Sequence, residues 1–260
     1  MVSQTKGKAI ALIFIAGPCS IESEKQFLTI AKAVKAAGAT HLRGGAFKPR
    51  TNPESFQGHG HDILHVLKKA KKLTKLPIVS EILDTEDINS AAPHIDIIQI
   101  GTRNMHNTTL LKKIAQRQSL KPILLKRGFA ATKKELLGAI AYLKQHGHKA
   151  QIYICERGIR TFADGEYSRY TLDVNLIADL KTDPTFPYPI LVDPSHPAGR
   201  SDLVESLSYA GIAAGADGLI IEVSMSPFIE HALSDKEQQI TPNVLKRIIN
   251  NCQKIKKITS

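Results

Sequence analysis

The segment LRGGAFKPRTNP, residues 42–53, carries the first side chains that could do chemistry. Arg43, Lys48 and Arg50 place three positive charges within eight residues. Two glycines and two prolines in the same segment indicate a turned, non-helical backbone. Cations held on a constrained loop suit phosphate and carboxylate, because arginine offers a planar fork of donors and lysine a compact charge. The segment predicts an anion-binding loop, with a solvated basic turn as the alternative.

A regular alternation of strands and helices must position these cations. Short apolar runs predict strands at 9–15, 39–43, 77–79, 95–100, 122–126, 151–155, 189–192 and 218–222. Apolar residues at helical spacing predict helices at 24–37, 61–73, 85–92, 108–118, 133–146, 168–180, 202–214 and 242–251. Eight strand-helix units in 260 residues predict an α/β fold, the (β/α)8 TIM barrel. An open doubly wound sheet is the rival architecture, but the usual glycine-rich turn after its first strand is missing here.

In a barrel, functional side chains lie at the carboxyl ends of the strands. Polar or ionisable groups follow all eight predicted strands: Cys19; Arg43, Lys48 and Arg50; Glu81; Gln99 and Arg103; Lys126 and Arg127; Glu156, Arg157 and Arg160; Asp193 and His196; and Glu222. This regularity favours a functional role for the set over scattered surface charges. No linker or composition break interrupts the alternation, so residues 1–260 are expected to form a single catalytic barrel without a separate regulatory domain.

Two kinds of group can be separated within this set. The cations would converge from several strand-end loops on one mouth and form a bowl for more than one phosphate or carboxylate. They are Arg43, Lys48, Arg103, Lys126 and Arg157. The second kind is a thiol, an imidazole and two carboxylates, namely Cys19, His196, Glu222 and Asp235. Together they would suit Mn²⁺, Fe²⁺, Co²⁺ or Zn²⁺, although their wide spacing leaves open a structural cysteine among unrelated polar groups.

The composition limits the classes of partner. The formal net charge of +11 and the isoelectric point near 9.5 imply anionic partners: nucleic acid, a membrane surface or small phosphorylated substrates. Aromatic residues make up only 5% of the chain and tryptophan is absent, which argues against nucleic acid. No apolar stretch reaches the ~20 residues that a membrane span needs. Charge alone therefore does not choose among these anionic partners.

The cysteines and the amino terminus bear on the compartment. Cys19, Cys155 and Cys252 are too few and too scattered for a disulfide framework, so a cytoplasmic setting is expected. Lys6 and Lys8 precede an apolar run that imitates a secretory signal, or a lipoprotein signal with its cysteine, but Pro18 directly before Cys19 spoils both cleavage patterns. The apolar run is instead expected to be the first strand of the barrel.

Eight motifs, spread in order over nearly the whole chain, resemble one enzyme family. They are AGPCSIES, LRGGAFKPRTNPESFQG, GTRNM, LLKRG, CERGIRTF, VDPSH, AGADGLIIEV and ALSD. The resemblance is to 3-deoxy-D-arabino-heptulosonate 7-phosphate (DAHP) synthases of the short, type I-beta kind. It implies condensation of phosphoenolpyruvate with erythrose 4-phosphate, the first step of the shikimate pathway, and a homo-oligomer, either a dimer or a tetramer.

Residue roles follow from this resemblance by matching motifs. Arg43, Lys48, Arg103, Lys126 and Arg157 would hold the phosphate and carboxylate of phosphoenolpyruvate. Arg50 and Thr51 would hold the phosphate of erythrose 4-phosphate, and Cys19, His196, Glu222 and Asp235 would bind the metal. Positive charge develops at C2 of phosphoenolpyruvate, and either Glu156 or a metal-bound water is expected to act there. The expected catalytic residues are Lys48, Lys126, Glu156 and His196.

One alternative and one departure remain open. The related 3-deoxy-D-manno-octulosonate 8-phosphate synthases use arabinose 5-phosphate and typically have a KANRSS-like segment where this chain reads KPRTNP. Pro49, Arg50 and Thr51 therefore favour erythrose 4-phosphate. The family commonly has His-Pro after the Glu-Val of its eighth strand, and this chain has Ser224 and Met225 instead. The lack of an added domain predicts insensitivity to phenylalanine and tyrosine.

Overall fold

Eight parallel strands close into a barrel in the computed structural model, which describes residues 11–49, 52–162 and 170–259. The strands are Ile13–Gly17 (β1), His41–Arg43 (β2), Ile78–Glu81 (β3), Ile97–Ile100 (β4), Ile123–Lys126 (β5), Ile152–Glu156 (β6), Ile190–Val192 (β7) and Gly218–Glu222 (β8). Each strand pairs with the next along the chain, and β8 pairs with β1 to close the sheet. The predicted (β/α)8 barrel is confirmed.

Helices follow the strands of this sheet. They are Glu24–Ala37 (α1), Leu64–Thr74 (α2), Ile88–Ala91 (α3), Thr108–Arg117 (α4), Lys133–Gln145 (α5), Val174–Thr182 (α6), Ser195–Ala198 (α7), Ser201–Ala213 (α8), Ser226–Ile229 (α9) and Pro242–Thr259 (α10). Local chemistry sets their ends. The Thr132 hydroxyl accepts from the Glu135 backbone N–H while the Glu135 carboxylate accepts from Thr132, which starts α5. Gly38, at φ 103°, ends α1.

The predicted helices differ from the observed ones mainly in length. The helix predicted at 85–92 is only one turn, Ile88–Ala91, and continues as a 3₁₀ turn through His94. The helix predicted at 168–180 begins at Val174 among the described residues, where Asp173 caps it. The last helix does not end at residue 251 but runs to Thr259, because no glycine or proline interrupts its apolar spacing. Among the described residues, no helix is both long and apolar enough to cross a bilayer.

The inside of the barrel is built in layers, because alternate residues of a strand face opposite sides of the sheet. A buried apolar layer contains one residue from seven of the strands: Ile15, Val79, Ile97, Leu124, Cys155, Leu191 and Ile220. Two positions further along the chain, on the same side of the sheet, come Gly17, Glu81, Gln99, Lys126, Arg157, Asp193 and Glu222. Arg43 of β2 completes this second layer. The apolar core therefore ends where the polar layer begins.

Gly17 is the one member of the second layer without a side chain. Its φ is 155°, and a Cβ there would lie 2.1 Å from the carbonyl oxygen of Arg43. The close approach of β1 to β2 therefore requires glycine at this position. Because Gly17 has no side chain, the functional side chain at the end of β1 comes from Cys19, two residues later in the chain.

Candidate active site

A cavity of about 360 Å³ opens at the carboxyl end of the barrel. Its lining includes Arg43, Lys48, Arg103, Lys126 and Arg157, the five cations predicted to form a bowl, together with Glu81, Gln99, His196 and Asp235. The structure thus brings these nine residues to one place. Arg50 and Thr51 lie outside the described residues, but their neighbours Pro49, Asn52 and Ser55 line the same cavity.

Two of the arginines have donors that no described residue satisfies. One terminal nitrogen, Nη1, is buried without a hydrogen-bond acceptor in both Arg43 and Arg157. The other terminal nitrogen of Arg43 lies 3.2 Å from Glu222 Oε1. Unsatisfied charged donors are costly in a protein interior. Their presence in a cavity lined by further cations indicates a site for an anion.

Three closely spaced polar side chains lie at the cavity, with Asp193 between Lys126 and His196. Lys126 Nζ lies 2.6 Å from Asp193 Oδ2, and His196 Nδ1 lies 2.7 Å from the same oxygen. The other oxygen, Asp193 Oδ1, accepts from the His196 backbone N–H. Burial disfavours the charge of Asp193, but His196 and Lys126 hold its pKa well below its usual range. Asp193 is therefore a carboxylate that fixes Lys126 and His196 in place.

The predicted metal ligands gather beside these side chains. One donor atom from each of Cys19, Glu222 and Asp235 lies within 4.8 Å of the other two. The fourth predicted ligand, His196, is adjacent, with its Nε2 3.8 Å from Glu222 Oε1. The other oxygen of Glu222 accepts from Gln238 Nε2 at 2.7 Å, which orients the carboxylate. The structure thus brings together four side chains that the sequence spreads over more than two hundred residues.

This donor set fits a divalent cation. Cys19 Sγ lies 2.7 Å from Asp235 Oδ2, and Lys48 Nζ lies 2.7 Å from the same sulfur. Burial raises the pKa of the Cys19 thiol well above its usual value, and Glu222 adds to this rise. Burial opposes the charge on Lys48, but Cys19 and Asp235 hold its pKa above the usual value. A cluster this rich in anionic donors favours a cation, and sulfur with nitrogen and oxygen suits a borderline metal.

Asp235 has an unusual backbone conformation for a non-glycine residue. Its φ of 45° and ψ of 43° place it in the left-handed region, which only Lys75 shares among the described non-glycine residues. Aspartate tolerates this region better than most side chains, yet the conformation is strained. The neighbouring residues fix it: Ser234 Oγ lies 2.6 Å from Ser20 Oγ, and Gln239 Nε2 donates to the Ser234 carbonyl. The strain therefore brings a carboxylate to the cluster.

Glu156, predicted to be catalytic, does not line the cavity. It shares the outer side of β6 with Ile152 and Ile154, which belong to the core between sheet and helices. Its Oε2 accepts from Arg127 Nη1 at 2.9 Å and its Oε1 accepts from the Gly158 N–H at 2.8 Å. Strand alternation places Glu156 outward and its neighbour Arg157 inward. We therefore correct the expectation of direct action at C2.

Several site residues received no role from the sequence. Asp193 and Glu81 stood at strand ends and could have been assigned by counting two residues from the buried apolar layer. Glu81 accepts from Gln99 at 2.8 Å and fits only because Gly101 lacks a Cβ, which would lie 1.9 Å from its Oε1. No sequence pattern predicted a place in the site for Gln238 or for the aromatic pair of Phe129 and Tyr170. Their positions depend on loops that follow β5, β6 and β8.

The fold and the site define a (β/α)8 barrel with a cation-lined cavity and a possible metal-ligand cluster at its mouth, and comparison with known proteins agrees. Residues 2–260 match the DAHP synthetase I family, and the chain belongs to that family. It is 43% identical over 241 residues to the phospho-2-dehydro-3-deoxyheptonate aldolase of Thermotoga maritima, covering 93% of this chain and 69% of the relative. It is therefore an enzyme of the aldol-condensing transferase class.

A solved structure and a more distant relative add to this comparison. A crystal structure of phospho-2-dehydro-3-deoxyheptonate aldolase from Thermotoga maritima superimposes with a TM-score of 0.86 at 39% identity, covering 99% of this chain and 73% of that one. A 2-dehydro-3-deoxyphosphooctonate aldolase from Desulfotalea psychrophila is 29% identical, covering 96% of this chain and 91% of that protein. The heptonate relatives are thus more similar than this octonate relative.

Proposed function

We propose that the cavity condenses phosphoenolpyruvate with erythrose 4-phosphate to give DAHP and inorganic phosphate, the first step of the shikimate pathway. The observation that carries this proposal is the pair of buried guanidinium donors, on Arg43 and Arg157, that lack an acceptor among the described residues. Both donors belong to a cavity lined by three more cations. Phosphoenolpyruvate, whose C2 carries both a phosphate ester and a carboxylate, supplies acceptors of the required charge.

The cations of the cavity would bind the carboxylate and the phosphate of phosphoenolpyruvate. Arg43, Arg103 and Arg157 offer planar forks that match its carboxylate and phosphate oxygens. Lys126 offers a point charge that Asp193 holds at 2.6 Å. Cations around the leaving phosphate stabilise the negative charge that grows on it when its bond to carbon breaks. These residues therefore bind the substrate and favour departure of the phosphate.

Erythrose 4-phosphate enters beside the segment that precedes α2. Asn52 and Ser55 line the cavity, and Arg50 and Thr51 between Pro49 and Asn52 are the proposed phosphate ligands. Lys48, at the inner end of this segment, lies 3.4 Å from Asp235 Oδ2 and close to the metal cluster. The sugar would therefore extend from its phosphate near residues 50–51 towards Lys48. Its aldehyde would lie over the cluster.

The condensation joins C3 of phosphoenolpyruvate to the aldehyde carbon. The two electrons of the enol double bond form the new bond, the aldehyde oxygen gains a proton, and water adds at C2 before phosphate leaves with its bridging oxygen. Glu81 has no ion-pair partner among the described residues that line the cavity, so its carboxylate is placed to accept the proton of that water. Lys48 holds a positive charge near the developing alkoxide.

Cys19, His196, Glu222 and Asp235 are the proposed ligands of a divalent ion such as Mn²⁺, Fe²⁺, Co²⁺ or Zn²⁺. The chemistry that the ion supplies when bound is Lewis-acid polarisation of the aldehyde oxygen. The three described cysteines are buried and free, which fits a reducing cytoplasm. The family resemblance also favours a homo-oligomer as the working form, with small phosphorylated substrates rather than nucleic acid or a membrane as its partners.

The test is consumption of phosphoenolpyruvate by the purified, metal-loaded protein with either of two sugars. We expect turnover with erythrose 4-phosphate and little with arabinose 5-phosphate. Preference for arabinose 5-phosphate would replace the proposed reaction by that of the octulosonate synthases. A folded, metal-loaded protein that turns over neither sugar would contradict the proposal. Quantifying phosphate release alongside checks that the loss of phosphoenolpyruvate comes from condensation.

A further inference from the structure

An aromatic ring stands among the arginines of the cavity. The Phe129 ring lies in the loop after β5 and lines the cavity together with Tyr170. The guanidinium carbon of Arg157 is 5.0 Å from the ring centre of Phe129, and that of Arg103 is 5.6 Å from the same centre. Phe129 therefore contacts two of the cations that would bind phosphoenolpyruvate, although they come from different strand-end loops.

Among the residues that the structure describes, these two arginines have no carboxylate partner. No described acidic side chain forms an ion pair with Arg103 or Arg157 within 4.0 Å, in contrast to Arg43 and Lys126. Two like charges in one cavity repel each other, and long side chains without a fixed partner occupy many conformations. The face of a phenyl ring attracts guanidinium groups without neutralising them. Phe129 can thus hold both arginines while leaving their charge available to a substrate.

The ring is itself held from two sides. Phe129 stacks on Tyr170 with the ring centres 5.3 Å apart and an interplanar angle of 13°, and Arg157 also lies 4.4 Å from the centre of Tyr170. The Phe129 carbonyl accepts from the Arg160 N–H at 2.8 Å. The loops after β5 and β6 therefore meet at this stack, each supplying one ring.

A partly buried ion cluster behind the barrel wall joins the same two loops. Arg127 Nε donates to the Ala131 carbonyl at 2.8 Å, two residues after Phe129. Arg127 Nη1 donates to Asp173 Oδ2 at 2.7 Å and to Glu156 Oε2 at 2.9 Å. Asp173 also caps α6, three residues after Tyr170. The cluster therefore fixes both ends of the stack and gives Glu156 a structural role.

We propose that Phe129 is a positioning residue that holds Arg103 and Arg157 together for the anionic groups of phosphoenolpyruvate, with the Arg127, Glu156 and Asp173 cluster fixing its loop. This inference rests on the proposed function for the identity of the anion. Removal of the Phe129 ring, which carries no charge, should therefore weaken the binding of an anion. The effect should fall on phosphoenolpyruvate and leave erythrose 4-phosphate little changed.

The experiment compares Phe129→Leu, Phe129→Tyr and Tyr142→Leu with the wild-type enzyme. Phe129→Leu keeps apolar bulk but removes the ring face, so KM for phosphoenolpyruvate should rise about tenfold while kcat changes by less than about threefold. Phe129→Tyr should keep the wild-type KM. Tyr142→Leu is the matched control, because Tyr142 carries a comparable contact with Lys112, at 5.7 Å, outside the cavity. It should leave both constants unchanged.

A second variant and a binding measurement keep the outcome clear. Asp173→Asn should raise KM for phosphoenolpyruvate in the same direction, with a smaller effect, because the ring would lose part of its support. An unchanged KM in folded Phe129→Leu, or an equal loss in Phe129→Tyr, would overturn the inference. If the wild type does not turn over, the proposed function fails, and the dissociation constant of phosphoenolpyruvate for the same variants still decides the role of Phe129.

Discussion

The cavity and the outer wall formed by α1, α2 and α10 differ in how far their positive charges are balanced by carboxylates. In the cavity and the adjoining cluster, five cations lie among the carboxylates of Glu81, Asp193, Glu222 and Asp235. On the wall, α1 packs against both α2 and α10, and the three helices hold twelve lysine and arginine residues with one acidic residue, Glu24. Charge is nearly balanced where chemistry is proposed and unbalanced where the surface faces water.

This difference explains the high net charge of the protein. The three helices contribute +11, which equals the formal net charge of the whole chain, and the remaining 23 basic and 23 acidic residues balance. Eleven of the twelve basic side chains of the wall are exposed, and Lys256 is half-buried. A high isoelectric point therefore says nothing about this site. Chemistry depends on which charges are buried together and left without a partner.

Removal of divalent ions should have the largest effect. Chelation should abolish turnover and added Mn²⁺ should restore it, because Cys19, Glu222 and Asp235 converge within 4.8 Å. The wall contains no such cluster, so circular dichroism should show intact helices after the same treatment. Steady-state turnover before and after chelation, with elemental analysis to verify removal, is the measurement. Full activity in metal-free protein would contradict the assignment of these ligands.

A smaller effect is expected at Ser224, which is buried beyond Glu222. Its hydroxyl has no hydrogen-bond partner among the described residues. Ser224→Ala should raise the free energy of unfolding by about 1 kcal/mol, because it removes an unsatisfied buried polar atom. Urea unfolding gives that value, and kcat should stay unchanged. A drop in kcat would show instead that the hydroxyl orders substrate or water, the role that the family's usual histidine suggested.

The smallest effect is expected at the edge of the wall, where Arg247 of α10 pairs with Glu205 of α8. Arg247 Nε lies 2.9 Å from Glu205 Oε1, and Arg247 and Tyr209 hold the pKa of Glu205 below its usual value. Because its pKa is lowered in the folded protein, the ionised Glu205 carboxylate stabilises the fold above pH 4.5. This stabilisation is lost as the pH falls through the lowered pKa. Arg247→Ala should lower the free energy of unfolding only slightly at neutral pH, because solvent screens an exposed ion pair.

The measurement is urea unfolding of wild type and Arg247→Ala at neutral pH and at a pH of about 3. The difference between the two proteins should shrink at the lower pH. A difference that is independent of pH would mean that Arg247 acts through packing of its aliphatic stem rather than through its charge.

Much of the fold could be predicted from the sequence because its signals are local. Apolar runs and helical spacing identified all eight strands and the major helices. Boundaries differed: the first strand was predicted at 9–15, of which residues 9 and 10 lie outside the described part of the chain, and the observed strand is Ile13–Gly17. The Gly17 position depends on close contact with Arg43 rather than on its own propensity. The one-turn helices Ser195–Ala198 and Ser226–Ile229 were too short to show a period.

The site was predictable as a set of strand ends, but the orientation of each side chain was not. Glu156 and Arg157 are adjacent at the end of β6, and strand alternation sends only Arg157 into the cavity. The buried apolar layer supplies that alternation once the barrel is known, because Cys155 belongs to it. The positions of Gln238 and Phe129 could not be predicted from the sequence, because loop geometry determines them and no periodic pattern describes those loops.

The central claim is that the cations of the cavity, and not the larger charge of the wall, bind phosphoenolpyruvate. Titration calorimetry at about 0.15 M salt, where distant surface charges are screened, tests it most directly. The comparison is wild type, Lys126→Ala and the double variant Lys68→Ala with Lys72→Ala from α2, each verified as folded.

We predict that Lys126→Ala weakens phosphoenolpyruvate binding on the order of a hundredfold and abolishes turnover, because it removes a buried cation 2.6 Å from Asp193. The double variant loses twice the charge and should bind within about twofold of wild type, because Lys68 and Lys72 are exposed and have no ion-pair partner among the described residues. Wild-type affinity in Lys126→Ala, or a large loss in the double variant, would contradict the account.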